Sequence, residues 1–102
     1  MFAAPMPAAE VFVYVTDYCP YCTRAKALLS KKSVPYTEVS CEDRPDLRRW
    51  LVSASGQRTV PQIFINNEPI GGFSDMAALE QQGQLDRLLA APRPQGLPPL
   101  PR

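Results

Sequence analysis

The 102-residue chain contains no histidine. That absence removes imidazole as a general base, the triads that depend on it, and zinc or haem sites ligated by histidine. Charge of one sign is not in excess either: 11 Lys plus Arg stand against 10 Asp plus Glu, for a net charge of +1. No overall field draws nucleic acid or an anionic membrane, so neither is expected as a partner. No apolar run approaches the ~18 residues that span a bilayer. Length is short as well, and 102 residues fit one compact domain and not two. Cysteines number three, an odd count, and two of them stand only three positions apart. This argues against a secreted disulfide scaffold and for cysteines that do chemistry.

Proline is the residue in surplus, and its distribution marks the domain edges. Seven of the twelve prolines fall in residues 1–9 or 91–102. Met1 to Ala9 has small residues but no basic n-region, and Pro5 and Pro7 break its apolar stretch. Residues 1–9 are therefore expected as a disordered arm on a cytosolic protein, residues 10–89 as the domain, and residues 90–102 as a disordered Pro-rich tail. Pro98-Pro99-Leu100-Pro101 fits a P-x-x-P ligand pattern, but that pattern is short and common, and a solvated tail is the expectation.

Within the domain, Val11-Phe12-Val13-Tyr14-Val15 is the continuous β-branched and aromatic run of a strand buried on both faces. Pro20 suits a first helical position, and Ala25, Leu28 and Leu29 follow at helical spacing until Ser33-Val34-Pro35. Tyr36 to Val39 reads as a second strand, completing a right-handed parallel β-α-β unit. Leu47, Trp50, Leu51 and Ala54 form the apolar stripe of a second helix opened by Asp43-Arg44-Pro45 and stopped near Gly56. Pro61 to Ile65 and Pro69-Ile70 read as a hairpin around Asn66-Asn67-Glu68, with Pro69 placing the last strand at an edge. Ser74 or Asp75 is expected to cap a helix with Met76 and Leu79, and Gly83 to divide it from a final turn holding Leu85, Leu88 and Leu89. The order β-α-β-α-β-β-α predicts an α/β fold, a mixed four-stranded sheet with helices on both faces.

The chemistry concentrates at Cys19-Pro20-Tyr21-Cys22, where the first strand gives way to the first helix. Two intervening residues in a first helical turn bring the sulfurs within bridging distance, and the helix N-terminus favours a thiolate on Cys19. Cys19 is then the exposed nucleophile, and Cys22, one turn deeper, the resolving thiol. A Cys₄ zinc site would need a second C-x-x-C, and Cys41 alone does not supply one. No metal is expected. Cys41 reads as a small, semi-buried residue at the end of the second strand.

Four separated signals in order, Cys19-Pro20-Tyr21-Cys22, Thr59-Val60-Pro61, Gly71-Gly72 and Ser74-Asp75, make residues 10–89 resemble the dithiol glutaredoxins. The resemblance implies a thioredoxin-like fold with a cis Val60–Pro61 bond facing the dithiol. It implies a glutathione-dependent oxidoreductase acting on glutathione mixed disulfides and protein disulfides, with glutathione as co-substrate; the even charge distribution and the lack of an extra apolar helix face make a monomer the expected form. It places glutathione against Tyr21, Thr59, Val60, Pro61, Gly72 and Phe73, with Ser74 and Asp75 at its γ-glutamyl end and Arg48 at its glycine carboxylate. Arg58 is a further candidate for that carboxylate. One departure stands out: many members place a lysine three residues before the nucleophile, where this chain has Thr16 followed by Asp17. Two other readings keep the dithiol: a redoxin reduced by thioredoxin reductase, and a [2Fe–2S] binder bridging two copies through Cys19 and glutathione. Pro20 stiffens the loop against the second.

Overall fold

The computed structural model describes residues 9–102. The expected N-terminal arm therefore lies, but for Ala9, outside the described residues. The elements are β1 (Val11–Val15), α1 (Pro20–Lys31), β2 (Thr37–Ser40), α2 (Pro45–Ser55), β3 (Gln62–Ile65), β4 (Glu68–Gly71), α3 (Phe73–Gln81) and α4 (Leu85–Ala90). One four-stranded sheet runs in the order β2-β1-β3-β4, with β2 parallel and β3 antiparallel to β1, and β4 antiparallel to β3. β1 is central and buried at every residue, as its unbroken apolar run requires. Pro69 sits on edge strand β4, where its missing N–H interrupts no inner ladder.

Strand alternation divides the interior into two layers. Val11, Val13 and Val15 pack with Ile63 and Ile65 against Cys22, Ala25 and Leu29 of α1, Met76 of α3, and Leu85 and Leu89 of α4. Phe12, Tyr14, Val39 and Phe64 face the other way, onto Leu47 and Leu51 of α2. Trp50 joins this second layer, its ring 5.3 Å from Phe64 and 5.4 Å from Tyr14 between centroids. Gly56 ends α2 at a left-handed φ of 75°, a conformation glycine adopts without a Cβ clash.

Two expectations are corrected. Ser74 and Asp75 do not stand at the N-cap of α3. Gly72 does, and Asp75 lies three residues in, where its carboxylate reaches back to accept the Gly72 N–H at 2.9 Å. Aspartate suits this reverse role because an acid in the first turn also meets the positive end of the helix. The Pro-rich segment, expected to be solvated, lies instead along the domain. Leu100 packs against the Phe12, Tyr14 and Trp50 layer, the Tyr14 hydroxyl donates to the Pro101 carbonyl at 2.6 Å, and Arg102 stacks over Phe12 at 5.3 Å. Arg93 pairs with Glu10 at 2.9 Å, and Asn67 donates to the Pro98 carbonyl at 2.7 Å. Pro-rich chain makes no sheet or helix of its own, so side chains and single carbonyls fasten it.

Candidate functional site

The turn after β1 delivers Cys19 to the N-cap of α1, with extended backbone angles (φ −115°, ψ 99°). Pro20 follows at the first helical position, where a missing N–H costs nothing and φ is already set. Cys19 and Cys22 are joined as a disulfide, their Cα atoms 5.1 Å apart. Cys22 is 2 % exposed, in the layer with Ala25 and Leu29. Cys19 is only partly buried, and its Sγ accepts the Cys22 N–H at 3.1 Å. In the reduced protein that N–H and the helix N-terminus both favour negative charge on Cys19, the one sulfur of the pair within reach of a substrate.

The Val60–Pro61 peptide is cis, and the Val60 carbonyl oxygen lies 3.8 Å from Cys19 Sγ. Beside it opens a groove of about 260 Å³ lined by Tyr21, Gln57, Thr59 to Pro61, and Gly72 to Asp75. The Tyr21 and Phe73 rings wall it, 6.4 Å apart between centroids. The N-terminus of α3 forms its far end. There Gly71 takes a φ of 114°, and a Cβ on it would run into the Asp75 carboxylate, so the double glycine lets Asp75 fold back over the helix start. Tyr21, Thr59, Val60, Pro61, Gly72, Phe73, Ser74 and Asp75, each singled out from the sequence, thus meet in one place.

Arg48 does not line this groove. It lies in a neighbouring cavity with Arg49, Val52 and Arg58, and its guanidinium donates to the Arg58 carbonyl at 3.4 Å. Thr16 is only partly exposed, and the Asp17 N–H donates to the Glu42 carboxylate at 3.0 Å. Sequence reasoning missed two residues. Gln57 lines the groove, and its position two before Thr59 was the available signal. Gln62 is fully buried, and its amide donates to the Thr59 carbonyl at 2.6 Å and to the Gln57 side chain at 3.3 Å, fastening that wall to β3. A polar residue inside an apolar strand run was the signal there.

Cys41 is more deeply placed than expected, at 2 % exposed. It lies in the Phe12 and Tyr14 layer, across the sheet from Cys22. Burial pushes its thiol above the ordinary value, with Arg48 and Arg44 opposing the shift. Among the described residues, no three His, Cys, Asp or Glu side chains gather where they could hold a metal ion.

A C-x-x-C pair capping the first helix, set against a cis-proline on a four-stranded mixed sheet, defines a thiol–disulfide oxidoreductase of thioredoxin-like fold. Residues 11–70 match the family described as Glutaredoxin. The chain is 48% identical to a glutaredoxin of Pseudomonas aeruginosa over 81 residues, covering 79% of this chain and 96% of that protein. It is 47% identical to glutaredoxin 3 of Escherichia coli K12, covering 79% and 98%. Among solved structures, the buckwheat glutaredoxin–glutathione complex superposes with a TM-score of 0.75 at 29% identity, covering 81% of this chain and 78% of that one. The Brucella melitensis glutaredoxin gives 0.74 at 42% identity, covering 85% and 95%. The chain belongs to the glutaredoxin family and is a glutathione-dependent dithiol oxidoreductase.

Proposed function

We propose that Cys19 is the attacking sulfur and that the groove beside it holds glutathione. The observation that carries this reading is the 3.8 Å approach of Cys19 Sγ to the Val60 carbonyl at the edge of a groove walled by Tyr21 and Phe73. An extended peptide laid along Val60 pairs with its main chain as an added strand would, with the peptide's sulfur at Cys19. Its γ-glutamyl carboxylate falls at the N-terminus of α3, near Ser74, where free N–H groups and the helix dipole favour an anion. The Asp75 carboxylate is at hand for the ammonium group. Gln57 and, with a change of rotamer, Arg48 serve the glycine carboxylate. The buckwheat relative, solved as a glutathione complex, supports this placement.

The reaction is two-electron exchange. Cys19 thiolate attacks the glutathione sulfur of a mixed disulfide, the substrate thiolate leaves and takes a proton, and glutathione remains on Cys19. A second glutathione thiolate then attacks that bond, giving glutathione disulfide and free Cys19. On a protein disulfide, Cys22 instead attacks the Cys19 mixed disulfide, leaving the Cys19–Cys22 bridge. The working form is a monomer in the cytoplasm, where glutathione keeps the dithiol reduced. No helix among the described residues is long and apolar enough to cross a membrane.

The test is glutathione-dependent reduction of a small mixed disulfide, coupled to glutathione reductase. Cys19→Ser is expected to lose activity and Cys22→Ser to keep it, while reduction of a protein disulfide needs both thiols. Wild-type inactivity with glutathione but turnover with thioredoxin reductase would overturn the reading and point to Thr16 and Asp17 as the cause.

A further inference from the structure

Among the described residues, three arginines lack an acidic partner and line one cavity. Arg48, Arg49 and Arg58 surround Val52 in a space of about 420 Å³, and none of them enters an ion pair. The nearest carboxylate on the same helix, Asp46, is committed to Arg44 at 2.8 Å. On a chain whose net charge is only +1, this is a concentrated positive patch. It abuts the groove, because Gln57 lines the groove and Arg58, the next residue, lines the cavity. Apolar exposure points to the same side. Among the described residues, the large apolar side chains left exposed are Tyr18, Tyr21 and Val52. Two of them flank Cys19, and the third stands among the arginines. An apolar residue ringed by unpaired arginines beside a reactive sulfur has the composition of a docking surface.

Resting on the assignment of Cys19 as nucleophile, we infer that this patch selects protein substrates whose disulfide is flanked by acidic residues. Glutathione has a single carboxylate at its glycine end and does not occupy three guanidinium groups. A protein substrate with its disulfide at Cys19 carries several residues on past Gln57, and acidic side chains there meet Arg49 and Arg58. The chemistry is unchanged. The substrate disulfide gains two electrons and becomes a dithiol, and Cys19 and Cys22 lose them and close their bridge. The patch acts on encounter and register, by attraction that salt screens over about 10 Å at 0.1 M.

The experiment uses pre-reduced full-length protein and two disulfide-bonded peptides that differ only in having Asp and Glu, or Lys and Arg, beside the cysteines. Single-turnover oxidation needs no glutathione, so its outcome is separate from that of the mixed-disulfide assay. Wild type is expected to react about tenfold faster with the acidic peptide at low ionic strength, with the preference collapsing at high salt. Arg49→Glu is expected to slow the acidic peptide and speed the basic one, a gain that misfolding does not produce, and Arg49→Lys to restore the wild-type order. Arg49 lies outside the glutathione groove, so Arg49→Glu is expected to reduce the small glutathione mixed disulfide within twofold of wild type. Equal rates for the two peptides in wild type, or an Arg49→Glu variant that slows both alike, would overturn the inference. Failure of glutathione to drive the small-substrate assay would overturn the glutathione reading and leave the peptide result to stand.

Discussion

At the scale of single residues, reactivity is a matter of which sulfur faces outward and what faces it. Cys19 and Cys22 share one turn, yet Cys22 is sealed under the sheet while Cys19 caps the helix and lies beside the Val60 carbonyl. Cys41, buried with its thiol shifted upward, is expected to resist alkylation by iodoacetamide in the folded protein at neutral pH, reacting only on unfolding. Mass spectrometry of labelled peptides checks this, and prompt Cys41 labelling would contradict the packing. Gln62 is a positioning residue. It touches no substrate, but its amide holds the Thr59 carbonyl and the Gln57 side chain. Gln62→Leu keeps the volume and removes both bonds, at a cost of about 1 kcal/mol. If that loss falls on the groove wall, KM for glutathione rises roughly fivefold while kcat at saturation stays within twofold. A parallel fall in both would mean general damage to the fold.

At the scale of elements, the C-terminal segment matters most. Its residues beyond α4 close the aromatic layer over α2, through Leu100, the Tyr14 hydroxyl bond to Pro101 and the Arg102 stack on Phe12. Removing residues 97–102 is expected to uncover part of the aromatic layer that Leu100 and Trp50 both pack against, and leaves the Tyr14 hydroxyl without its carbonyl. Partial burial of one leucine and one hydrogen bond together contribute about 2 kcal/mol, which for a domain of this size lowers Tm by roughly 10 °C. Trp50 is the only tryptophan, so its emission is expected to shift to longer wavelength in the truncated protein. Leu100→Asp, which keeps the chain length, is expected to reproduce most of the loss. An unchanged Tm and spectrum in both would show that the segment is not seated on this face in solution. The ion pairs joining Lys32 of the α1 C-cap to Glu80 and Asp86 are surface pairs and carry little of the stability.

At the scale of the whole molecule, stability is expected to fall on both sides of neutrality, for different reasons. Desolvation raises the Tyr14 phenol well above its ordinary value and also raises the Cys41 thiol, both in the layer over α2. A group whose folded pKa is raised binds its proton more tightly in the fold. Its contribution is complete below the unfolded value and is lost as pH climbs toward the folded one. The ordinary values are 9.0 for cysteine and 10.0 for tyrosine, so stability is expected to decline above pH 9.0. Tyr14→Phe removes the tyrosine part, and its Tm is expected to fall less steeply with pH in that range, from a lower starting point because the Pro101 bond is gone. Asp46 works in the opposite sense. The Arg44 guanidinium holds its carboxyl at about 2, so its small, solvent-screened contribution is present above 3.8 and lost as pH falls toward 2. Thermal unfolding across pH checks both signs.

Much of the protein was legible before any coordinate. The β1 run, the proline-marked helix starts, the edge strand and the dithiol all follow from local chemistry: side-chain shape, proline's fixed φ, and spacing along one chain. Thr59 to Pro61 and Gly72 to Asp75 stand out through resemblance, and in the structure they line one groove with Tyr21. What local pattern did not carry was the direction of long side chains and the fate of a segment without periodicity. Arg48 shares its helix with Trp50, but only the packed structure turns it into a second cavity beside the groove. Gln57 and Gln62 gain meaning only through each other and through Thr59. Residues 91–102 look solvated because proline forms no regular ladder, and they are held because the sheet face over α2 offers aromatic rings and a buried hydroxyl that the helices leave uncovered. The elements and the reactive pair follow from the order of residues alone, since these depend on near neighbours. The groove's full wall, the arginine patch and the seat of the tail come from packing, since each depends on residues far apart in the chain meeting in space.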